Sequence, residues 1–299
     1  MLVNLPTRGP AGSTIHSLPV PRKIFLDFSL LSLFSTAGLR AQSVQPRQRV
    51  VVAPPVRKEK FQLYLLIGQS NMAGRGAVEA QDTVPNSHVL RLNPAGKWEV
   101  AKDPLHFDKP VAGVGPGLAF GRAMAARDTS VTIGLIPCAV GGSGIAAWTP
   151  GAYFADTKTH PYDDALARAR TALATGTLAG IIWHQGESDT SPEKSAAYAI
   201  KLMSLIAQLR TDLQAPTVPF VAGQLPLFPQ GTTDVAGVAR INAALAELNK
   251  TLPYYTYVPA TGTTDRGDHL HLDAASARLM GQRYAAAMQQ LQRPVPRAR

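Results

Sequence analysis

A chain of 299 residues, 45% of them hydrophobic, is long enough to bury the core of one large α/β domain. Its formal charge of +10 sits at the ends: residues 1–58 hold eight Lys/Arg and one acid, 293–299 hold three Arg and no acid, and 59–292 balance 19 basic with 19 acidic side chains. That neutral central span excludes a basic nucleic-acid face, and a single cysteine, Cys138, excludes an intramolecular disulfide framework.

In chain order, Arg22-Lys23 precedes an apolar stretch that ends in small residues at Ala41. This is the layout of a secretory signal, with export to the periplasm or the medium as its consequence. Asp27 inside the stretch and the residues before Arg22 fit that layout poorly, and a basic leader is the other reading. The stretch is too short and interrupted for a membrane span. Residues 42–59 read as a linker, 60–293 as the folded domain and 294–299 as a basic tail.

From residue 60, apolar strand-like runs alternate with Ala- and Leu-rich helical stretches. The strands are expected at 62–68, 131–137, 180–184, 218–224 and 254–259. The helices are expected at 117–127, 163–173, 192–213, 235–248 and 274–291. This alternation predicts a three-layer α/β/α sandwich around a mostly parallel sheet. Residues 75–114 carry few helix or strand signals and read as an elaborated loop over a binding face.

Four segments can carry chemistry, and each falls where an apolar run ends. The first, Gly68-Gln-Ser-Asn-Met-Ala-Gly74, puts Ser70 in a small polar turn at the carboxyl end of a strand. Open α/β sheets bind ligands at such ends, and a serine there becomes a nucleophile if a base takes its proton. The pattern is not Gly-x-Ser-x-Gly, so the usual hydrolase elbow is absent. The second, Ala139-Val-Gly-Gly-Ser-Gly144, can turn an N–H toward the same edge as an oxyanion donor. Cys138 just before it reads as a small buried filler.

The third, Trp183-His-Gln-Gly-Glu-Ser-Asp189, offers a neutral amide donor in Gln185 and a carboxyl in Glu187 that can orient neighbours or bind a hydroxyl. His184 reads as structural. The fourth is Asp268-His-Leu-His271. The spacing of Asp268 and His271 lets the carboxylate reach the imidazole and leaves Nε2 for the serine proton. His269 is the rival base, and a metal site is the rival use of this segment. No other cluster has ligand spacing, so no metal is expected.

At these four segments the chain resembles the SGNH hydrolases, and within them the sialate O-acetylesterase-like and carbohydrate esterase family 6 group. The resemblance spans roughly residues 60–290. It implies a central parallel sheet of about five strands. It implies Ser70 as nucleophile, His271 as base and Asp268 as orienting carboxylate, with an oxyanion hole from the Ser70 and Gly142 N–H groups and the Gln185 side chain. Gly141 is the alternative donor to Gly142. Gln69, Asn71, Glu187 and Trp148 are the expected substrate contacts, with 75–114 and the aromatic stretch 148–162 shaping the sugar site. The implied activity is removal of acetyl groups from an acetylated carbohydrate, with no metal and no organic cofactor. A general short-chain esterase and a non-catalytic carbohydrate-binding protein on the same scaffold are the alternatives.

Overall fold

Seven strands form one sheet in the order β3-β2-β4-β1-β5-β6-β7. The computed structural model describes residues 49–228 and 234–293, so the signal-like segment at 22–41, the first part of the linker and the basic tail lie outside the described residues. The strands are β1 (Phe61–Gly68), β2 (Val89–Leu92), β3 (Trp98–Val100), β4 (Thr132–Pro137), β5 (Thr177–His184), β6 (Phe220–Gly223) and β7 (Tyr255–Val258). The helices are α1 (Ser70–Ala73), α2 (Pro116–Arg127), α3 (Pro161–Leu173), α4 (Pro192–Ala196), α5 (Tyr198–Asp212), α6 (Val235–Thr251) and α7 (Ala274–Leu291). Every neighbouring strand pair is parallel except β2 with β3.

β1 lies at the centre because it is apolar on both faces. Phe61, Leu63, Leu65 and Ile67 pack with α3, α5 and α6 on one side, while Tyr64 and Leu66 pack with α2 and α7 on the other. Side chains alternate across a strand, so a continuous apolar run serves two cores at once. The helix starts follow local chemistry. Pro116 and Pro161 open α2 and α3, where a missing N–H costs nothing. Asp273 caps α7 by accepting from Ser276 N–H at 2.7 Å.

The five expected strands are all present, and so are the expected helices, except that the one expected over 192–213 is broken at Ala197 into α4 and α5. The sheet exceeds the expected five strands because β2 and β3 form within the stretch read as loop. These strands are short, and their buried Arg91 and Glu99 hide them from a search for apolar runs. The two charges pair with each other at 2.5 Å. The linker boundary also shifts: Val52 N–H donates to Trp98 O at 2.9 Å, and Val100 N–H donates to Val50 O at 3.2 Å, so residues 50–52 extend the sheet beyond β3.

Because the sheet is parallel, the ends of β1, β4, β5 and β7 share one edge. All four chemical segments therefore come to one place.

Candidate active site

Gly68 ends β1 with φ 131°, and a Cβ there would overlap the carbonyl of His184 on β5. Only glycine lets the chain turn this close to its neighbour. The turn is fixed by Gln69 N–H donating to His184 O at 2.9 Å. It delivers Ser70, 6% exposed, at the first position of α1.

The partner groups come from the loop between β7 and α7. Asp268 Oδ1 accepts the backbone N–H groups of Leu270 and His271 at 3.1 and 2.8 Å. Its Oδ2 lies 2.8 Å from His271 Nδ1. His271 Nε2 lies 3.0 Å from Ser70 Oγ. Burial alone would raise the Asp268 carboxyl, but the two N–H groups and the imidazole hold it down at about 2. An ionised Asp268 puts the ring proton on Nδ1, which leaves Nε2 to accept from the serine hydroxyl. His269, with φ 57°, turns instead toward Asp265, its Nδ1 3.5 Å from Oδ2. It is not the base that reaches Ser70.

The glycine turn after β4 is held from both sides. Val140 N–H donates to Gly68 O at 2.9 Å, and Gly141 N–H donates to Asp108 Oδ2 at 2.9 Å. Arg75 also binds that Asp108 oxygen, at 2.8 Å. The Gly141 amide is thus engaged. Gly142 is exposed, with φ 88°, and among the described residues neither its N–H nor that of Ser70 has a hydrogen-bond partner. Those two amides are the donors left for a developing negative charge.

Gln185 departs from the third donor role that the resemblance implies. Its side chain is fully buried. Nε2 donates toward Gln69 Oε1 at 3.0 Å, Ser143 O at 3.2 Å and Asp189 Oδ2 at 2.6 Å. Three acceptors already compete for two hydrogens, so none is free for a ligand.

All four expected substrate contacts also lie inside the wall of the site, each with a polar atom already hydrogen-bonded. Asn71 is 2% exposed and Trp148 2%; the Glu187 side chain is 5% exposed. Trp148 Nε1 donates to Ser143 Oγ at 3.0 Å, and its ring packs edge-on against Trp183. Gln69, 3% exposed, gives its carbonyl oxygen to Gln185. The residues that do reach the rim are Phe154 and Lys109, each 3.8 Å from where a Gly142 Cβ would stand. Phe107 and Tyr153 are exposed nearby in sequence. A cavity of about 160 Å³ lined by Phe107, Asp108, Val140 and Arg168 flanks the glycine turn. A larger one, of about 550 Å³, lies at the opposite end of the sheet, against Gln62, Ala179 and Pro219.

Two further acids organise the site and escaped the sequence reading. Asp108 has no surrounding pattern to mark it. Asp189 closes the third segment, where its Oδ2 joins Gln185 to Ile145 N–H at 2.7 Å. Cys138 is partly buried against the core, and desolvation pushes its thiol up to about 11, away from a ready thiolate. Among the described residues there is no cluster of metal-ligating side chains and no helix long and apolar enough to cross a membrane.

Residues 60–290 match the family model for carbohydrate esterases described as sialic acid-specific acetylesterases. A probable carbohydrate esterase of Arabidopsis thaliana is 33% identical over an alignment of 247 positions that covers 76% of this chain and 89% of that protein. The X-ray structure of an Arabidopsis thaliana protein superimposes with a TM-score of 0.67 at 31% identity, covering 77% of this chain and 98% of the other. NanS superimposes with a TM-score of 0.61 at 17% identity, over 80% of this chain and 98% of its own. A carbohydrate acetylesterase from Xanthomonas citri gives 0.60 at 20% identity, over 78% of this chain and 56% of its own. At these identities the last two speak to the fold. With most of its length matched and its four segments gathered at one sheet edge, this chain belongs to the carbohydrate esterase family of sialic acid-specific acetylesterases.

Proposed function

We propose that this protein is a serine esterase that removes O-acetyl groups from carbohydrates through an acetyl-enzyme. The observation that carries this reading is the continuous chain Asp268 Oδ2–His271 Nδ1 at 2.8 Å and His271 Nε2–Ser70 Oγ at 3.0 Å. Family membership supplies the substrate class.

The steps follow from the geometry. Ser70 Oγ attacks the acetyl carbonyl carbon as its proton passes to His271 Nε2. The carbonyl oxygen becomes an oxyanion facing the free Ser70 and Gly142 N–H groups. The C–O bond to the sugar breaks, and the sugar oxygen takes the proton from His271. A water then attacks the acetyl-serine, giving a proton to His271. Acetate leaves, and that proton returns to Ser70 Oγ. Asp268 stays ionised throughout and stabilises the imidazolium. In this reading the signal-like segment makes the enzyme an exported one.

The test is acetate release from acetylated xylan, O-acetyl sialic acid and p-nitrophenyl acetate by the protein and its Ser70→Ala variant. Serine-dependent release that favours one acetylated sugar supports the proposal and names the acceptor. Turnover of the aryl ester alone makes the protein a general short-chain esterase. Glycan binding without any turnover makes it a binding protein on a hydrolase scaffold. Wild-type rates in Ser70→Ala would sink the serine mechanism.

A further inference from the structure

We propose that Asn71 and Glu187 are positioning residues that lock the loop carrying His271 onto the turn carrying Ser70. This rests on the serine-esterase reading above.

Ser70 and His271 lie on segments 201 residues apart, and their hydrogen bond spans 3.0 Å. Reaction rates respond steeply to such distances, about 10²-fold for a misplacement of about 1 Å. Something must hold the two segments in register, and Asn71 stands at the junction. It follows Ser70 directly. Its Nδ2 donates to Leu270 O at 3.2 Å, and its Oδ1 accepts from Leu272 N–H at 2.9 Å. One side-chain amide thus binds the backbone on both sides of His271. A carboxamide suits this task because it offers a donor and an acceptor at one planar end.

Glu187 sets the direction of that amide. Its Oε1 accepts from Asn71 Nδ2 at 2.6 Å. If the amide were reversed, an oxygen would face Glu187 Oε1 and Leu270 O, and an NH₂ would face the Leu272 N–H. Glu187 stands three residues past the end of β5. The Asn71 amide therefore ties the ends of β1 and β5 to the loop after β7. With the Asn71 residue 2% exposed and the Glu187 side chain 5%, neither is presented to a sugar.

Glu187 needs no charge for this, since a neutral carboxyl oxygen also accepts. The nearest basic group is His184 Nε2 at 3.9 Å, and that fully buried ring is directed away from protonation by its surroundings. Nδ1 of His184 meets Tyr284 Oη at 2.9 Å, and Tyr284 Oη in turn donates to Trp183 O at 3.0 Å. The Tyr284 hydroxyl proton is thus committed to Trp183, so His184 Nδ1–H is the donor to it and Nε2 carries a lone pair. Glu187 Oε2 and His184 Nε2 are both buried without a partner. Two buried acceptors without partners suit a neutral acid at position 187, and burial pushes the Glu187 carboxyl the same way. Glutamine keeps the acceptor for Asn71 and carries no charge.

The experiment compares Asn71→Ala, Glu187→Ala and Glu187→Gln with the full-length protein, Ser70→Ala and His271→Ala, using p-nitrophenyl acetate. The expected result for Asn71→Ala is a kcat at least tenfold lower with KM within about twofold, as loss of alignment requires. Glu187→Ala should lose kcat in the same way, and Glu187→Gln should restore it to within about threefold of wild type. The low-field proton resonance of the His271–Asp268 pair should shift or broaden in Asn71→Ala and Glu187→Ala while remaining in place in Glu187→Gln. Wild-type kcat in folded Asn71→Ala, or a loss confined to KM, would overturn the proposal. So would a Glu187→Gln variant as poor as Glu187→Ala. If Asn71→Ala fails to fold, the Glu187 pair decides alone. Activity persisting in Ser70→Ala and His271→Ala would instead refute the serine reading on which the proposal rests.

Discussion

His271 Nε2 lies 3.0 Å from Ser70 Oγ across 201 residues of chain. The fold achieves this by placing the two segments at neighbouring ends of parallel elements, Ser70 just after the central strand and His271 just before α7. Asp268 completes the chain from within the same loop, where its carboxylate also organises the backbone of Leu270 and His271. One side chain therefore shapes the loop and fixes the tautomer, and in the proposed mechanism it balances the charge of the imidazolium.

Asp268→Asn should consequently lower kcat by about 10²–10⁴ on p-nitrophenyl acetate, since an amide can present its NH₂ to Nδ1 and select the wrong tautomer. The same substitution should alter acid stability. The folded carboxyl ionises at about 2, against about 3.9 in an unfolded chain. Its contribution is complete above about pH 4 and disappears as pH falls toward 2. The Asp268 side chain is 39% exposed, so solvent screens the effect and the change in unfolding midpoint should be small. Near-normal kcat in Asp268→Asn at neutral pH would contradict this role.

The two adjacent glycines should respond differently to alanine. At Gly141 a methyl group would collide with the Arg75 guanidinium and the Asp108 carboxylate. Gly141→Ala should therefore lower the unfolding midpoint, because that buried ion pair must shift. At Gly142 there is space, with the nearest atoms at 3.8 Å, but φ is 88°. Gly142→Ala should keep most of its stability, lose about 1–2 kcal/mol to backbone strain, and drop kcat by about 10²-fold as the N–H turns from the oxyanion. Thermal unfolding and steady-state kinetics on both variants check this. A reversed pattern would make Gly141 the donor.

The sequence carried the central strands and the four chemical segments plainly, because each strand is an uninterrupted apolar run ending in small polar residues. What it hid is polar and long-range. Arg91 and Glu99 break the apolar pattern of β2 and β3, and their pairing in space, with Arg91 also donating to Pro104 O and Leu105 O and Glu99 also meeting Arg49, makes those strands tolerable. The break between α4 and α5 at Ala197 has no proline or glycine to announce it. Asn71 and Glu187 looked like groups for a sugar because polar residues near a nucleophile often are. Their true partners lie 199 and 116 residues from Asn71 in the chain, beyond the reach of any local pattern.

Stability should also fall on acidification through the buried histidines. Burial holds His106 and His184 near 4 in the folded chain, whereas an unfolded imidazole takes its proton near 6.5. Between those values the unfolded chain binds more protons, so stability is lost as pH falls from about 6.5 to about 4, by up to about 3 kcal/mol per ring. Asp103 and Glu187, both raised by burial, act in the opposite sense. A single substitution separates the contributions. His106→Asn should flatten the urea-unfolding stability profile between pH 6.5 and 4 by one proton's slope. An unchanged slope would mean that His106 does not titrate differently in the two states.

Gln185 offers the sharpest choice between a family expectation and this geometry. As an oxyanion donor it would act mainly in the transition state, and Gln185→Ala would cost kcat without much stability. Here its amide is instead the keystone of three acceptors, Gln69 Oε1, Ser143 O and Asp189 Oδ2. Removing it leaves Asp189, 2% exposed, with one fewer donor for a buried carboxylate. That penalty is about 1–3 kcal/mol and falls on folding. Gln185→Ala should therefore lower the unfolding midpoint by several degrees, while the folded fraction keeps kcat within about tenfold of wild type. Gln185→Glu should be worse in stability, since it sets a second carboxylate beside Asp189. Chemical unfolding together with kcat normalised to active serine, titrated with an organophosphate, distinguishes the two. A full-stability Gln185→Ala variant with kcat down 10²-fold would return this side chain to the oxyanion hole.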